Sequence, residues 1–237
     1  MTKSIILESV LWLIRFLFGA CIFRYFGAVA DRLSRGENIG KGRSCCTACG
    51  VPIQKRTFFG ELAGGMAFVL CAQEFGFGYT GLISLEGAVV FGYLGILLAV
   101  ARIDWEAQVI YNRFPIWILL LAVAQLFLVP GHGIGDRLIG ALIVSVPMLV
   151  LSLIVPGAFG GGDIKLMAAS GFFLGMEAIV CAMFFGLLGG GGYAAYMLAA
   201  KKLKRNDQFA FGPFLAFGLA LAALWGDRIA AWYLSIP

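Results

Sequence analysis

Charged and ionisable side chains are scarce in this sequence. Of its 237 residues only 13% are charged and a single one is His, whereas 61% are hydrophobic and the mean hydropathy is +0.92. A soluble globular domain does not reach these values, so that class of protein is excluded. The alternation of apolar and polar residues that marks membrane strands is also missing. The composition therefore predicts an all-α, polytopic membrane protein.

Long apolar runs take the place of the missing charges. A helical span needs about 20 mostly apolar residues, and the sixth run is short by that standard, so a count of six spans stays open beside our expectation of about eight. We expect a single membrane domain over residues 1–237, with transmembrane helices at about Ile5–Phe23, Phe58–Gly76, Leu82–Ala101, Phe114–Val129, Leu138–Val155, Ile164–Gly175, Ala178–Ala199 and Phe211–Leu234.

The formal net charge of +5 is distributed by loop. Most Lys and Arg residues follow the first, third, fifth and seventh spans, so the positive-inside rule places those loops in the cytoplasm and both termini outside. The basic balance is thus a signal of topology in a lipid bilayer, and we expect no nucleic-acid partner.

The longest cytoplasmic loop, residues 24–57, is basic and carries Cys46 and Cys49. Their C-x-x-C spacing fits half a zinc knuckle or a thioredoxin-like redox pair. A tetrahedral zinc site needs four ligands, and the only His, His132, is predicted on the opposite side of the membrane. Zinc binding at this pair is therefore only weakly indicated.

Only 13 residues are acidic, and most belong to the outer ends of spans or to basic loops. The topology brings Asp104 and Asp163 to the same, cytoplasmic edge of the membrane. Two carboxyl groups that meet in a poorly hydrated site share a proton, so one acts as a base and the other as an acid. That is the working state of an aspartic-protease dyad.

Three glycines, Gly160, Gly161 and Gly162, precede Asp163. They leave no side chain to block an extended substrate and permit unusual backbone angles, so we assign them to substrate binding together with Lys165. Two plainer interpretations stay open: Asp163 only caps its helix, and Lys165 only anchors it at the interface. A role of Lys165 in tuning the two carboxyl groups is a further alternative.

These residues resemble a known family, the prepilin peptidases or type IV leader peptidases, membrane aspartic proteases with a Gly-x-Gly-Asp motif. The similar segments occur in the family's order and cover most of the chain: Arg35–Ile39 with Gly42–Gly50, Arg56 with Glu61, Asp104 with Ile110 and Asn112, Gly160–Leu166, and Phe211–Phe214.

The resemblance implies an inner-membrane enzyme with eight helices. It would remove the basic leader of type IV pilins or secretion pseudopilins on the cytoplasmic side, cutting after a Gly with Asp104 and Asp163 and without a cofactor. It also implies methylation of the new N-terminus with S-adenosylmethionine, and we assign Glu61 to this step or to anchoring the loop. Many members carry two C-x-x-C pairs in the first loop, whereas this chain has one, which puts zinc at Cys46 and Cys49 in doubt.

Two other functions explain carboxylates at broken membrane helices: an ion-coupled transporter and a non-catalytic scaffold of a secretion complex. Transporters often contain two related halves, and this sequence has no internal repeat. In a scaffold, Asp163 would have no role beyond capping its helix.

Overall fold

The structure is a computed structural model that describes residues 2–34, 57–75, 84–128, 133–155, 157–201 and 209–235. These ranges form eight α-helices and contain no β-strand. The helices are α1 (Thr2–Ser34), α2 (Thr57–Glu74), α3 (Leu85–Ala107), α4 (Arg113–Leu128), α5 (Ile134–Ile154), α6 (Gly161–Leu174), α7 (Met176–Ala199) and α8 (Gly212–Leu234). The predicted all-α architecture with about eight helices is thereby confirmed.

Five segments are long and apolar enough to cross a membrane: Ser9–Gly27 within α1, then α3, α5, α7 and α8. Helix α4 is also apolar but is shorter than these five. Large apolar side chains such as Phe127 and Leu153 are exposed, as is expected of a surface that faces lipid. Helix α6 has 14 residues. At 1.5 Å per residue it is about 21 Å long, less than the roughly 30 Å hydrocarbon core, as its short apolar run predicts.

The chain divides into two compact units, residues 1–99 and 100–237. In the first unit, α1 and α2 pack closely where a Cβ added to Gly19 would lie 2.6 Å from the carbonyl oxygen of Gly64. The rings of Phe23 and Phe68 pack on Phe91 of α3, with centroids 5.1 and 4.9 Å apart. Helix α1 continues past the expected end of the first span to Ser34.

In the second unit, α7 packs on α8 and α5 on α6 through glycines. A Cβ added to Gly218 would lie 2.8 Å from the backbone nitrogen of Gly186, and one added to Gly140 would lie 2.6 Å from the carbonyl oxygen of Gly171. Such close approach of backbones is typical of helices that pair in membranes.

The junction between α6 and α7 is held by two adjacent side chains of α5. Gly175 joins the helices with φ of 88°, an angle that favours glycine. The buried Arg137 donates hydrogen bonds from Nη1 to the carbonyl oxygens of Phe172 and Phe173, both 3.1 Å away. Asp136 accepts a 3.3 Å hydrogen bond from the N–H of Met176. A cation thus caps the last turn of α6 and an anion the first turn of α7, the arrangement that helix dipoles favour.

Candidate active site

Asp104 lies near the C-terminal end of α3 and is buried, with 5% of its surface exposed. Its Oδ2 accepts a 2.8 Å hydrogen bond from the backbone N–H of Gly212, the first residue of α8. A carboxylate at a helix N-terminus is favoured by the unpaired N–H groups and by the helix dipole. The start of α8 therefore orients the Asp104 carboxylate and stabilises its charged form.

Gly212 must be a glycine at this contact. An added Cβ would lie 2.7 Å from Oδ2 and 2.8 Å from Cγ of Asp104, closer than Cβ atoms occur in proteins. Pro213 follows in the first turn of α8, where its missing N–H costs no hydrogen bond. Reasoning from the sequence did not include Gly212 among the site residues. The sequence signal that could have identified Gly212 was the Phe211–Phe214 motif, which contains it and lies at the start of the last helix.

Asp163 is the third residue of α6 and uses one carboxylate oxygen to cap this helix. Its Oδ2 accepts a 3.2 Å hydrogen bond from the N–H of Gly160, the residue that precedes α6. Its Oδ1 is buried and has no hydrogen-bond partner among the described residues. The capping interpretation thus accounts for one oxygen and leaves the second available within a buried site.

The charge of Asp104 is one of the causes that shift the pKa of Asp163. The pKa of Asp163 is raised to about 6. Burial is the largest cause and the nearby charge of Asp104 adds to it, whereas the hydrogen bond from the N–H of Gly160 lowers the pKa. A carboxyl group that titrates near pH 6 holds and releases its proton in the range where enzymes work. Asp104 therefore lies near enough for its charge to act on Asp163, and the assignment of the two residues as a catalytic pair stays a prediction.

The three glycines before Asp163 differ in their surroundings. The N–H of Gly160 is occupied by Asp163. Gly162 lies against the segment that follows α3, because an added Cβ would be 2.7 Å from Cβ of Ile110, whereas a Cβ at Gly161 would meet nothing within 4 Å. The N–H groups of Gly161 and Gly162 belong to the first turn of α6, where donors have no acceptor within the helix.

Lys165, also in the first turns of α6, reaches across to the start of α4. Its Nζ donates a 2.9 Å hydrogen bond to Oδ1 of Asn112, and both side chains are exposed. Lys165, two residues after Asp163, is thus held by a neutral acceptor.

Aromatic rings surround both acidic segments. Phe159, just before the glycines, packs on Phe211 with centroids 5.7 Å apart, and Tyr193 of α7 packs on Phe214 at 5.2 Å. Trp105, next to Asp104, lies 6.3 Å from Tyr193. These contacts join α3, α7 and the start of α8 around the segments that carry the two carboxyl groups.

Glu61 belongs to the first unit, where its Oε1 lies 3.6 Å from Nε of the exposed Arg24. Cys46 and Cys49 lie outside the described residues. Within the part of the chain that the structure describes, no three His, Cys, Asp or Glu side chains are grouped so as to hold a metal ion. The assignments of Glu61 to methylation and of the cysteines to zinc stay predictions.

Comparison with known proteins identifies relatives of this arrangement. Residues 91–195, which include both aspartates, match the type IV leader peptidase family. A prepilin leader peptidase/N-methyltransferase of Bacillus subtilis (strain 168) is 32% identical over 191 residues, which are 81% of this chain and 75% of that protein. Proteins of the same name from Stutzerimonas stutzeri and Aeromonas hydrophila are 30% and 27% identical, each over 81% of this chain and 66% of their own length.

No solved structure matches the chain. The family match covers Asp104 and Asp163, and the Bacillus relative is aligned over most of both proteins. The resemblance inferred from the motifs is therefore confirmed: this multi-pass helical membrane protein belongs to the type IV leader peptidase family of aspartic peptidases.

Proposed function

We propose that the chain is a prepilin leader peptidase that cleaves the basic leader from type IV pilins or pseudopilins after a Gly, with Asp104 and Asp163 as its catalytic dyad. The observation that carries the proposal is that the buried Asp104 carboxyl group acts electrostatically on the half-buried Asp163 carboxyl group, and that each has one oxygen held by a backbone N–H. The names of the similar proteins supply the substrate class.

In the proposed reaction the pair shares one proton. The ionised carboxylate removes a proton from a water molecule, which attacks the scissile carbonyl carbon, while the protonated partner donates a hydrogen bond to the carbonyl oxygen. Collapse of the tetrahedral intermediate returns a proton to the leaving amine. Burial raises the pKa of Asp163 to about 6, which favours retention of one proton by the pair near neutral pH.

The glycines and Lys165 are proposed to bind the substrate backbone. An extended peptide can accept hydrogen bonds from the N–H groups of Gly161 and Gly162, and the exposed Lys165 side chain, in the next turn of α6, would contact peptide carbonyl groups. Gly160 contributes differently, since its N–H is used to orient Asp163.

We place the enzyme in the bacterial inner membrane with its dyad at the cytoplasmic face. The basis is the excess of Lys and Arg in the loops on the side of Asp104 and Asp163. A basic leader stays in the cytoplasm while the apolar pilin helix lies in the bilayer, so the junction between them reaches the dyad.

The names of the relatives also include an N-methyltransferase. S-adenosylmethionine carries an ammonium and a carboxylate at its amino-acid end, and the Glu61–Arg24 pair offers one group of each opposite sign. These residues fit that end of the cofactor, which when bound would supply the methyl group for the new N-terminus. We expect Glu61→Gln to lose methylation and keep cleavage; unchanged methylation would contradict this role.

The test uses purified protein in detergent with a synthetic prepilin, and mass spectrometry follows loss of the leader and gain of a methyl group. We expect Asp104→Asn and Asp163→Asn each to abolish cleavage while the protein inserts normally. Asp227→Asn is the matched control, because the same chemical change there affects an exposed side chain of α8. Cleavage that survives either dyad substitution would refute the dyad, and a folded wild type that cleaves no prepilin would favour the transporter or scaffold.

A further inference from the structure

The segment between α3 and α4, residues 108–112, follows directly on the turn that carries Asp104. It leaves α3 through Gln108, whose φ of 53° lies in the left-handed region. It then meets the start of α6 at two points: Ile110 lies against Gly162, and Asn112 accepts the hydrogen bond from Lys165. These two contacts lie on either side of Asp163 in the sequence of α6.

The contact at Gly162 alone does not hold the two segments together. It is a van der Waals contact with a residue that has no side chain, so it limits how near the segments approach and does little to prevent their separation. The bond between Lys165 and Asn112 is directional and opposes separation. The apolar contact and the hydrogen bond together define one spacing.

We propose that the Lys165–Asn112 hydrogen bond is a strap that fixes the Asp104 segment against the Asp163 segment, which makes Asn112 a positioning residue for the dyad. This inference rests on the proposed peptidase function of the two aspartates. Asn112 contacts Lys165 and acts on the carboxyl groups only through the spacing of their segments.

Releasing the strap has a predictable electrostatic effect. Burial and the charge of Asp104 both raise the pKa of Asp163, and both weaken when the segments move apart. A released Lys165 ammonium that approaches the carboxyl groups also lowers the pKa of Asp163. Charged and titratable groups lie in the last two turns of α3 (Arg102, Asp104 and Glu106), beside Asn112 (Tyr111 and Arg113), on α6 (Lys165) and on α7 (Tyr193 and Tyr196). The first two turns of α8 carry none.

The first measurement does not depend on turnover. The midpoint of thermal unfolding is recorded from pH 4 to pH 8 for the wild type and for Asp163→Asn, and the difference between the two curves reports the titration of Asp163. We expect Asn112→Ala to move this titration to lower pH, whereas Asn112→Asp, which keeps an acceptor for Lys165, does not move it to lower pH.

The second measurement is the pH profile of prepilin cleavage. We expect Asn112→Ala to lower kcat/KM by roughly 2- to 12-fold, the worth of one hydrogen bond, and to move the basic limb to lower pH. In a Lys165→Met background the same substitution has no bond to break, so its shift disappears. The proposed strap would be contradicted if Asn112→Ala shifted the pH profile equally in the wild-type and Lys165→Met proteins, or if it shifted neither the unfolding titration nor the cleavage profile.

The two measurements separate failure of the strap from failure of the proposed function. If the wild type cleaves no prepilin, the unfolding curves still report whether Asn112 controls the titration of Asp163. If Asn112→Ala does not fold, the comparison is made with Asn112→Ser, whose shorter side chain does not reach Lys165 and leaves the backbone preference of a turn residue intact.

Discussion

The contact between α8 and Asp104 makes Gly212→Ala the most informative single substitution. The change adds one methyl group, which would lie 2.7 Å from Oδ2 and 3.0 Å from Cβ of Asp104. The Asp104 side chain is short and buried, so it has little room to move away. Either the carboxylate rotates or the start of α8 shifts, and both break the 2.8 Å hydrogen bond from the N–H of residue 212.

The expected magnitude follows from that bond. A hydrogen bond to a charged group contributes about 1.5–3 kcal/mol, and each 1.36 kcal/mol is a tenfold change in rate. If the full contribution is lost from the transition state, kcat/KM falls by roughly 10- to 150-fold. We expect the loss mainly in kcat, because Gly212 orients the carboxylate proposed to be catalytic and is not among the residues proposed to bind the substrate.

The assay is cleavage of a synthetic prepilin by purified protein, with kcat and KM determined separately. Gly191→Ala of α7 is the matched control, since it makes the same change in a membrane helix where an added Cβ meets nothing within 4 Å. We expect the control to cleave like the wild type. Full activity of Gly212→Ala, with a folded protein, would refute the conclusion that α8 orients Asp104.

Three further substitutions test other contacts. Asp163→Asn removes a carboxyl group whose pKa is raised from 3.8 to about 6, so the folded protein loses stability as pH rises through that range. At 1.36 kcal/mol for each unit of pKa shift, the ionised Asp163 carboxylate lowers the free energy of unfolding by about 3 kcal/mol. Asp163→Asn should therefore unfold at a higher temperature than the wild type at pH 8, and at the same temperature below pH 4. Equal midpoints at pH 8 would contradict the burial of this charge. Gly190→Ala places a methyl group against the ring of Phe211, next to the donor of Asp104, and we expect weaker cleavage than for the neighbouring Gly191→Ala; equal kcat/KM values would show that the ring moves without consequence. Arg137→Met leaves buried carbonyl groups of α6 without their donor and should lower the free energy of unfolding by about 1–3 kcal/mol, measured by thermal unfolding in detergent; an unchanged midpoint would mean that the end of α6 needs no cap.

Several site features depended on signals that are local in the sequence. Asp163 stands out because a charged residue precedes an apolar run and follows three glycines, and Asp104 because it ends an apolar run on the same side of the membrane. Both signals result from the cost of placing charge in a bilayer, which acts on each span separately. The sequence could therefore nominate the pair without any knowledge of helix packing.

Other features could not be inferred in this way. Gly212 donates to Asp104 from 108 residues further along the chain, and Asn112 contacts Lys165 over 53 residues. The sequence also did not indicate that Asp163 would use one oxygen for its own helix and leave the other without a partner. Each of these depends on how helices rotate and pack, which hydropathy does not encode.

The sequence by itself determined the class of the protein, the approximate position of its helices and the family, because hydropathy, span length and motif order are properties of short segments. It also nominated two acidic residues, Asp104 and Asp163, for one membrane edge. The tertiary structure decided which backbone N–H groups hold the two carboxylates and which segment lies against Gly162 before Asp163. Those outcomes required the close packing of helices distant in sequence, where a single methyl group or hydrogen bond determines which atoms meet.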